Sequence, residues 1–491
     1  MARYEIFPTP RKLDMTDQRV RLDATWGLRA DSAWEDVAGR YARLLGVPMQ
    51  PAAKNIELVG DQGDGDEAYR LEIGPDALRV TAGQRRGFLR ALATVDQLCD
   101  GPFVPQGTVE DWPRLKMRGI QFMFETFKQM DAEEAHRMLD LAGRLKLNTV
   151  LMEFGPRFPF QNPRHSAIVS PNALTREEVK ALVSHARELG ITPIPLLQSL
   201  GHLEYLLRHE QYTEICENPA VRTQMCPIDP NSLRVWTELA EEVLELFPGC
   251  TMMHIGADET RELGAGRSAE ACKQVGKGGL FAGHVNQVCR WLGERGITPI
   301  LWDDMLCTHP EAMAMLEKNA WLMYWDYWTT SHPSPLIIAR EQKARRLKPE
   351  IEKAMYDQRW NRQWAGELSD VTGAVLRHFA SAVDLGETLD ETFRKEFGPY
   401  LGPYFPKYVP AFPYLKYYQD KGRTVIGAPT CSGNRSTWHG MPDFPRYGQN
   451  IKTFADRCIE CGAAGLVTTA WYNRIPEMLV QGMILTAEFT W

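Results

Sequence analysis

The chain has 491 residues, of which 44% are hydrophobic and 24% charged, and its formal net charge is −7. This length and composition fit a globular enzyme with one large domain and a smaller one. The acidic balance and the lack of a long basic run argue against a nucleic-acid partner, and no stretch reaches the roughly 20 apolar residues that span a bilayer.

The cysteines and the amino terminus bear on cofactors and compartment. Among ten cysteines, only Cys458 and Cys461 have the spacing of a metal or redox pair, and they fall in a helical pattern over residues 454–461. Such an isolated pair is typical of core packing, so we expect reduced thiols, no metal and no cofactor. Residues 1–5 contain no apolar signal core, which predicts a cytoplasmic protein without membrane insertion.

Residues 1–112 are predicted to form a small α+β domain. Two strand patterns and one helical pattern follow each other there, over residues 69–73, 78–82 and 87–99. The pair Trp112-Pro113 breaks this pattern. We therefore expect a second domain over residues 113–491.

The second domain alternates short apolar runs with amphipathic helices, which predicts repeated βα units around a parallel sheet. Eight runs have strand length: residues 118–123, 148–154, 192–197, 251–255, 298–302, 321–325, 424–428 and 465–470. Helices are predicted between them over residues 132–145, 176–189, 232–246 and 282–295, the second with the capping box Thr175-x-x-Glu178. Eight such units predict a (β/α)8 TIM barrel, with a helical insertion around residues 330–420 because that interval is too long for one crossover.

Two adjacent carboxylates, Asp258 and Glu259, directly follow the apolar run 251–255. Neighbouring acids at the end of a buried strand repel each other, which suits a pair that holds one proton near neutral pH. The pair Asp66-Glu67 has no such strand before it and is predicted to be solvated in a Gly-rich turn. The first pair is therefore the better candidate for catalysis.

Polar and aromatic residues follow most of the predicted strands, where the site of a TIM barrel lies. They are Glu125, Glu153, Gln198, His202, Asp258, Glu259, Trp302, Asp303, Asp304, Tyr324, Trp325, Asp326, Trp471, Tyr472 and Asn473. Indole faces and carboxylates together suit a sugar, although a single Trp is as easily a core residue. Arg118 opens its strand and could pair with a buried acid, and His202 could be a loop histidine satisfied by the backbone.

At these residues the sequence resembles glycoside hydrolase family 20, the β-N-acetylhexosaminidases. The segment His254-Ile255-Gly256-Ala257-Asp258-Glu259 is similar to the family's His-x-Gly-x-Asp-Glu signature. Other pieces follow in the family's order: Arg118-Gly119, Gly201-His202, Trp302-Asp303 and Tyr324-Trp325-Asp326. Residues 197–202 and 259–264 make the chain most similar to the branch that includes hexosaminidase D. The resemblance covers most of the chain and implies a TIM barrel preceded by a small α+β domain.

The resemblance implies a retaining exo-β-N-acetylhexosaminidase that removes terminal β-linked GlcNAc or GalNAc from a glycan or glycoconjugate. Glu259 would be the general acid and base, and Asp258 would orient the substrate's 2-acetamido group, which attacks the anomeric carbon to give an oxazolinium intermediate. The implied binding residues are Tyr324 and Asp326 on the acetamide, Arg118 on the far hydroxyls, Trp302, Trp325 and Trp471 as pocket walls, and His202 and His254 behind the acids.

Two departures from the family pattern leave the preferred sugar open. Gln198 stands where many members have Asp, and no Glu directly follows Trp471, so Glu477 is the nearest candidate for the outer hydroxyls. Two other functions stay open: a metal-dependent barrel hydrolase using the histidines and acids, and a sugar-binding barrel without catalysis. The Asp-x-Asp-x-Glu arrangement of family 18 chitinases is absent. The sequence leaves the oligomeric state undetermined.

Overall fold

The computed structural model describes residues 5–61, 65–124, 130–327, 329–330, 332, 336–338, 375–377, 395, 398–400, 410–432, 443–471 and 476–491. Most of the predicted insertion around residues 330–420 therefore lies outside the described residues. The amino-terminal part is a six-stranded sheet of order β1-β6-β4-β5-β3-β2 with two helices. Its elements are β1 (Lys12–Arg21), β2 (Trp26–Ala30), α1 (Glu35–Leu45), β3 (Lys54–Gly60), β4 (Tyr69–Ile73), β5 (Ala77–Ala82), α2 (Arg85–Leu98) and β6 (Phe103–Asp111).

The rest of the chain is built on eight parallel strands that close into a barrel. They are β7 (Met117–Met123), β8 (Thr149–Glu153), β9 (Thr192–Ser199), β10 (Met252–Gly256), β11 (Thr298–Trp302), β12 (Trp321–Trp325), β15 (Val425–Ala428) and β17 (Gly465–Ala470). Closure comes from the pairing of β17 with both β7 and β15. Three short strands lie outside the barrel: β13 (Leu336–Ile338) and β14 (Val375–Arg377) pair with each other, and β16 (Thr430–Ser432) pairs with β17.

Helices cover the outside of the barrel and connect its strands. They are α3 (Ala132–Arg144), α4 (Arg176–Glu188), α5 (Glu204–Leu207), α6 (Pro230–Leu246), α7 (Ala269–Gly293), α8 (Asp304–Thr308), α9 (Pro413–Asp420), α10 (Phe444–Cys461) and α11 (Pro476–Thr490). The Thr175–Glu178 capping box opens α4 as predicted. Helix α7 begins earlier than the predicted residue 282 because its first turns continue through a kink at Gly276, which takes φ +71°.

The eight predicted barrel strands are confirmed, and so is the fold class. The reason is physical: each strand is buried on both faces, so it appears in the sequence as an unbroken apolar run between amphipathic helices. Inward side chains fill the barrel and outward ones pack under the helices. The interior cluster consists of Met117, Leu151, Ile194, Leu196, Ile300, Trp302, Met323, Ile426, Ala428 and Val467. This alternation decides which residues at the strand ends face the mouth of the barrel.

A buried ionic network joins the amino-terminal sheet to the closed end of the barrel. Glu67 lies between Arg90 and Arg118, at 2.7 and 2.8 Å, and all three side chains are almost fully buried. The pKa of Glu67 falls to about 2 because the attraction of the two guanidinium groups outweighs the effect of burial. The expectation that the pair Asp66-Glu67 is solvated is wrong for Glu67, since arginines distant in sequence converge on it.

Among the described residues, no helix combines the length and the apolar character needed to cross a membrane.

Candidate active site

The segment after β10 adopts a backbone that few sequences permit. Gly256, Ala257 and Glu259 have φ values of +64°, +68° and +47°. A β-carbon at Gly256 would lie 1.8 Å from Oε1 of Gln198, and one at Gly201 would lie 2.5 Å from the main-chain oxygen of Asp258. Both glycines are therefore required by close approach, and they bring the segments after β9 and β10 together at the mouth of the barrel.

The two adjacent acids have different surroundings. Asp258 is buried, and its Oδ1 has no hydrogen-bond partner among the described residues. The side chain of Glu259 is 38% exposed, and its Oε1 lies 3.1 Å from a guanidinium nitrogen of Arg261. One carboxylate is thus held inside the pocket while its neighbour reaches the opening. That difference allows the pair to do two separate tasks.

His202 lies between the two acids. Its Nε2 is 3.3 Å from Oδ2 of Asp258 and 3.4 Å from Oε2 of Glu259. The carboxylate of Asp258 is the largest cause that raises the pKa of His202 to about 12, with Glu259 adding to it. The imidazole is therefore a cation at neutral pH. It is bound by side chains, so the alternative of a loop histidine satisfied by the backbone does not describe it.

Glu153, Gln121 and Gln198 form a hydrogen-bonded group close to Asp258. Glu153 accepts hydrogen bonds from Gln121 and Gln198, at 3.0 and 3.1 Å, and Gln121 Oε1 accepts one from the main-chain N–H of Ala470. The chain of bonds ties β7, β8, β9 and β17 together. Burial raises the pKa of Glu153 to about 7, and the charge of Asp258 adds to the shift. Gln198, the departure from the family pattern, thus contacts this carboxyl.

Two further acids follow β11. Asp303 accepts hydrogen bonds from the hydroxyl of Tyr418 (2.9 Å) and from the main-chain N–H of Trp325 (3.3 Å), and burial raises its pKa to about 7. Asp304 accepts a hydrogen bond from the main-chain N–H of Glu259, and burial and the charge of Asp258 raise its pKa well above the usual range. Negative charge near neutral pH is therefore lower at both positions than two exposed acids would give.

The three predicted indoles converge on one wall. Trp302 lies inside the barrel with its ring centroid 5.6 Å from that of Trp471. Trp325 stacks on Tyr327 with centroids 5.0 Å apart, and Nε1 of Trp471 donates a 2.7 Å hydrogen bond to the Tyr327 hydroxyl. The charges of Asp258 and Glu259 both act on Tyr327, whose pKa is raised well above its usual value mainly by burial. Sequence reasoning missed Tyr327, although it lies two residues after the inward Trp325.

Tyr324 lies on the other side of the sheet, which corrects its predicted role. Its ring packs edge-on against Phe412, Tyr414, Tyr418 and Phe454, in the layer between the barrel and the helices. Strand residues alternate, so Trp325 points inward and Tyr324 outward. Tyr324 is therefore a packing residue, and the prediction that it holds the acetamide is wrong.

Asp326 is buried beside α10 and Thr329. Its Oδ2 accepts a hydrogen bond from Oγ1 of Thr329 (3.0 Å), and Asn450 donates to the main-chain oxygens of both residues. These contacts hold the segment after β12 that contains Tyr327. The structure thus gives Asp326 a supporting position, and its predicted contact with the acetamide stays a prediction.

His254 is fully buried behind Trp302. Their ring centroids are 4.4 Å apart, and Nδ1 of His254 accepts a hydrogen bond from the main-chain N–H of Gly256. Burial lowers the pKa of His254 to about 3, so the ring is neutral. It supports the turn that leads to Asp258. Among the described residues, no group of three His, Cys, Asp or Glu side chains is placed to hold a metal ion.

Arg118 lies at the end of the barrel where the parallel strands begin, opposite the mouth, which corrects the prediction that it binds the sugar. It is the second residue of β7, its side chain is fully buried, and its guanidinium contacts Glu67, main-chain oxygens of residues 115 and 146, and the ring of Trp491. The strands are parallel, so the beginning of β7 is one strand length from the mouth. Arg118 joins the two parts of the chain.

Three predicted residues, Glu125, Tyr472 and Asn473, lie outside the described residues. Glu477 is exposed in the first turn of α11. A separate cleft of about 470 Å³ lies between the amino-terminal domain and the barrel. It is lined by Asp66, Gln84, Arg85, Arg86, Arg187, residues 190–193 and residues 249–251, at the beginnings of β9 and β10. The cleft is therefore at the opposite end of the strands from Asp258.

Family comparisons agree with this geometry. The family described as "Glycosyl hydrolase family 20, catalytic domain" matches residues 141–341, and "Glycosyl hydrolase family 20, domain 2" matches residues 3–112. The chain belongs to glycoside hydrolase family 20. Both matched regions follow the architecture, since the first contains strands β8 to β12 and the second contains the complete amino-terminal sheet.

Individual relatives match parts of the chain. Hexosaminidase D from Homo sapiens is 30% identical over 191 residues, which are 37% of this chain and 39% of the relative. Hexosaminidase D from Bos taurus is 28% identical over 211 residues, 41% of this chain and 60% of the relative. The match thus spans less than two thirds of either protein. The crystal structure of a β-N-acetylhexosaminidase from Bacteroides fragilis superposes with a TM-score of 0.68 at 17% identity, covering 99% of this chain and 90% of the other.

Proposed function

We propose that this protein is a retaining exo-β-N-acetylhexosaminidase that releases terminal β-linked GlcNAc or GalNAc from glycans or glycoconjugates. The observation that carries the proposal is the unequal pair Asp258 and Glu259: Asp258 is buried, with an Oδ1 that has no partner among the described residues, and Glu259 lies at the opening. Membership of family 20 and the hexosaminidase relatives support the same activity.

In the first step, the acetamide oxygen of the substrate attacks the anomeric carbon, and the glycosidic oxygen leaves with a proton from Glu259. Asp258 accepts a hydrogen bond from the acetamide N–H and stabilises the positive charge of the oxazolinium that forms. In the second step, Glu259 takes a proton from water as the water oxygen attacks the anomeric carbon. The bond between that carbon and the acetamide oxygen breaks, which opens the oxazolinium ring and restores the acetamide. Two displacements at the same carbon retain its configuration.

Other side chains in the pocket receive complementary roles. His202, as a cation, keeps the carboxylate of Asp258 in place and stabilises the charge on Glu259 after Glu259 has given up its proton. Trp302, Trp325 and Trp471 form the apolar wall for the pyranose face. Tyr327 has the role that the sequence predicted for Tyr324. Its hydroxyl, oriented by the hydrogen bond from Nε1 of Trp471, contacts the acetamide.

The decisive assay compares hydrolysis of p-nitrophenyl β-GlcNAc and β-GalNAc by the wild type, Glu259→Gln and Asp258→Asn. We expect both variants to lose about 10²–10⁴-fold in kcat while they keep the fold. Turnover by the wild type no greater than that of Glu259→Gln would contradict catalysis and favour a sugar-binding barrel.

A thiazoline analogue of the oxazolinium tests the route. It should inhibit the wild type far more strongly than GlcNAc does, because it mimics the cyclic intermediate. An Asp258→Asn variant with full activity, together with no inhibition by the thiazoline, would mean that the acetamide is not the nucleophile. Loss of activity on treatment with a strong chelator would favour a metal-dependent hydrolase instead.

A further inference from the structure

The side chain of Asp304 contacts the main chain of the proposed general acid. Its Oδ2 accepts a hydrogen bond of 2.9 Å from the N–H of Glu259. Asp304 begins α8 directly after β11, whereas Glu259 follows β10, and these two strands pair in the barrel. The bond therefore ties the end of one strand to the end of its neighbour at the mouth.

Glu259 needs an external contact of this kind. Its φ of +47° lies in the left-handed region, which is unfavourable for a residue with a β-carbon and persists only where neighbouring groups fix it. Ala257 is left-handed as well, at +68°. A rotation of the peptide at Glu259 would redirect its side chain, so the direction of the Glu259 N–H and the position of its carboxyl are coupled.

The second oxygen of Asp304 shows that the group is built into the site. Oδ1 is buried and has no hydrogen-bond partner among the residues that the structure describes. Burial and the nearby charge of Asp258 raise the pKa of Asp304 well above its usual range. A raised pKa lowers the negative charge that Asp304 adds beside Asp258 and Glu259, while its Oδ2 still accepts the Glu259 N–H.

We propose that Asp304 is a positioning residue that holds Glu259 in the left-handed backbone conformation from which its carboxyl reaches the glycosidic oxygen. The proposal rests on the proposed function, because it concerns the proton donor of that reaction. It extends that function by assigning a role to a side chain that acts through Glu259.

Four variants separate this role from general support of the fold. Asp304→Leu and Asp304→Ala remove the acceptor, the first at similar size. Asp304→Asn keeps an amide oxygen that can accept the same N–H. Thr308→Val is the matched control, because Oγ1 of Thr308 donates to the main-chain oxygen of Asp304 (3.0 Å), so the change perturbs α8 and leaves the Asp304 carboxyl in place.

The readout is kcat/KM on two β-GlcNAc substrates with different leaving groups. Dinitrophenolate departs without a proton, whereas a second sugar requires one from Glu259. We expect Asp304→Leu and Asp304→Ala to lose about 100-fold on chitobiose and less than about 5-fold on the dinitrophenyl glycoside. Asp304→Asn should stay within about 5-fold, and Thr308→Val within about 2-fold, on both substrates.

Several outcomes would overturn the proposal. They are equal losses on the two substrates, unchanged chitobiose hydrolysis by Asp304→Ala, and a loss in Thr308→Val that matches the loss in Asp304→Leu. Thermal melts followed by circular dichroism identify a variant that does not fold. If Asp304→Leu does not fold, the comparison of Asp304→Ala with Asp304→Asn provides the test. A wild type that hydrolyses neither substrate would contradict the proposed function itself, which keeps the two failures distinct.

Discussion

Nε2 of His202 lies 3.3 Å from Oδ2 of Asp258, although the two residues come from segments that follow different strands. His202 has φ +54°, and Gly201 before it approaches the main-chain oxygen of Asp258 closely enough to exclude a side chain. The backbone thus brings the cation to the acids at the expense of local strain. An electrostatic contact of this kind should appear in the dependence of stability on pH.

The first prediction concerns His202→Gln. The folded pKa of about 12 lies above the ordinary value of 6.5, so the folded state holds the proton more strongly. This contribution to stability is complete below pH 6.5 and declines as pH rises from 6.5 towards 12. We expect the wild type to exceed His202→Gln in the free energy of unfolding by an amount that shrinks steadily between pH 7 and pH 9.5, measured by denaturant titration.

His254→Gln is the matched control for this experiment. The pKa of His254 is lowered to about 3, so its contribution changes only between pH 3 and pH 6.5 and stays constant above that range. The difference between wild type and His254→Gln should therefore be flat from pH 7 to pH 9.5. A flat difference for His202→Gln as well would contradict the ion pairing with Asp258 and Glu259.

The second prediction concerns Glu153→Gln. The folded pKa of about 7 exceeds the ordinary value of 4.5 because the carboxyl is buried, so the folded state retains a proton that the unfolded chain releases. The wild type should lose roughly 3 kcal/mol relative to Glu153→Gln as pH rises from 4.5 to 7. Urea titrations at half-unit intervals measure this slope, and a difference that is constant or has the opposite sign would contradict a buried, protonated Glu153.

The third prediction follows from the corrected position of Arg118. Replacing Arg118 with Met leaves Glu67 buried beside a single guanidinium, so we expect a loss of about 3–5 kcal/mol in the free energy of unfolding. KM of the folded protein for a β-GlcNAc substrate should stay within about twofold. The control is Arg70→Met, whose ion pair with Glu72 is exposed, with an expected loss of about 0–1 kcal/mol. A large rise in KM with little change in stability would instead support the prediction that Arg118 binds the sugar.

Sequence reasoning located the barrel well because burial on both faces of each strand leaves a plain signal. The same property hides which side chain points inward. In the run Trp321–Trp325 every residue is apolar or aromatic, so the sequence does not show which alternate side chains point into the barrel. Tyr324 was therefore predicted to face the pocket, whereas Trp325 and Tyr327 face it. The prediction for Arg118 was wrong for a related reason, because its partner Glu67 comes from the other domain and no local sequence pattern connects the two residues.

The last prediction compares two tyrosines that differ by three positions. Tyr327→Phe removes the hydroxyl that accepts the 2.7 Å hydrogen bond from Nε1 of Trp471 and that lies under the influence of Asp258 and Glu259. We expect kcat on a β-GlcNAc substrate to fall by about 10- to 100-fold, because a group held ready for the acetamide acts mainly in the transition state. Tyr324→Phe should keep kcat within about twofold, because its ring packs between the barrel and the helices.

The thiazoline inhibitor sharpens this comparison, since it carries the ring that the acetamide forms. Tyr327→Phe should weaken thiazoline binding by about the same factor as kcat/KM, because both report contacts made in the transition state. Tyr324→Phe should bind the inhibitor as tightly as the wild type does. If Tyr324→Phe loses both activity and inhibitor binding while Tyr327→Phe retains them, strand β12 faces the substrate with the opposite set of side chains.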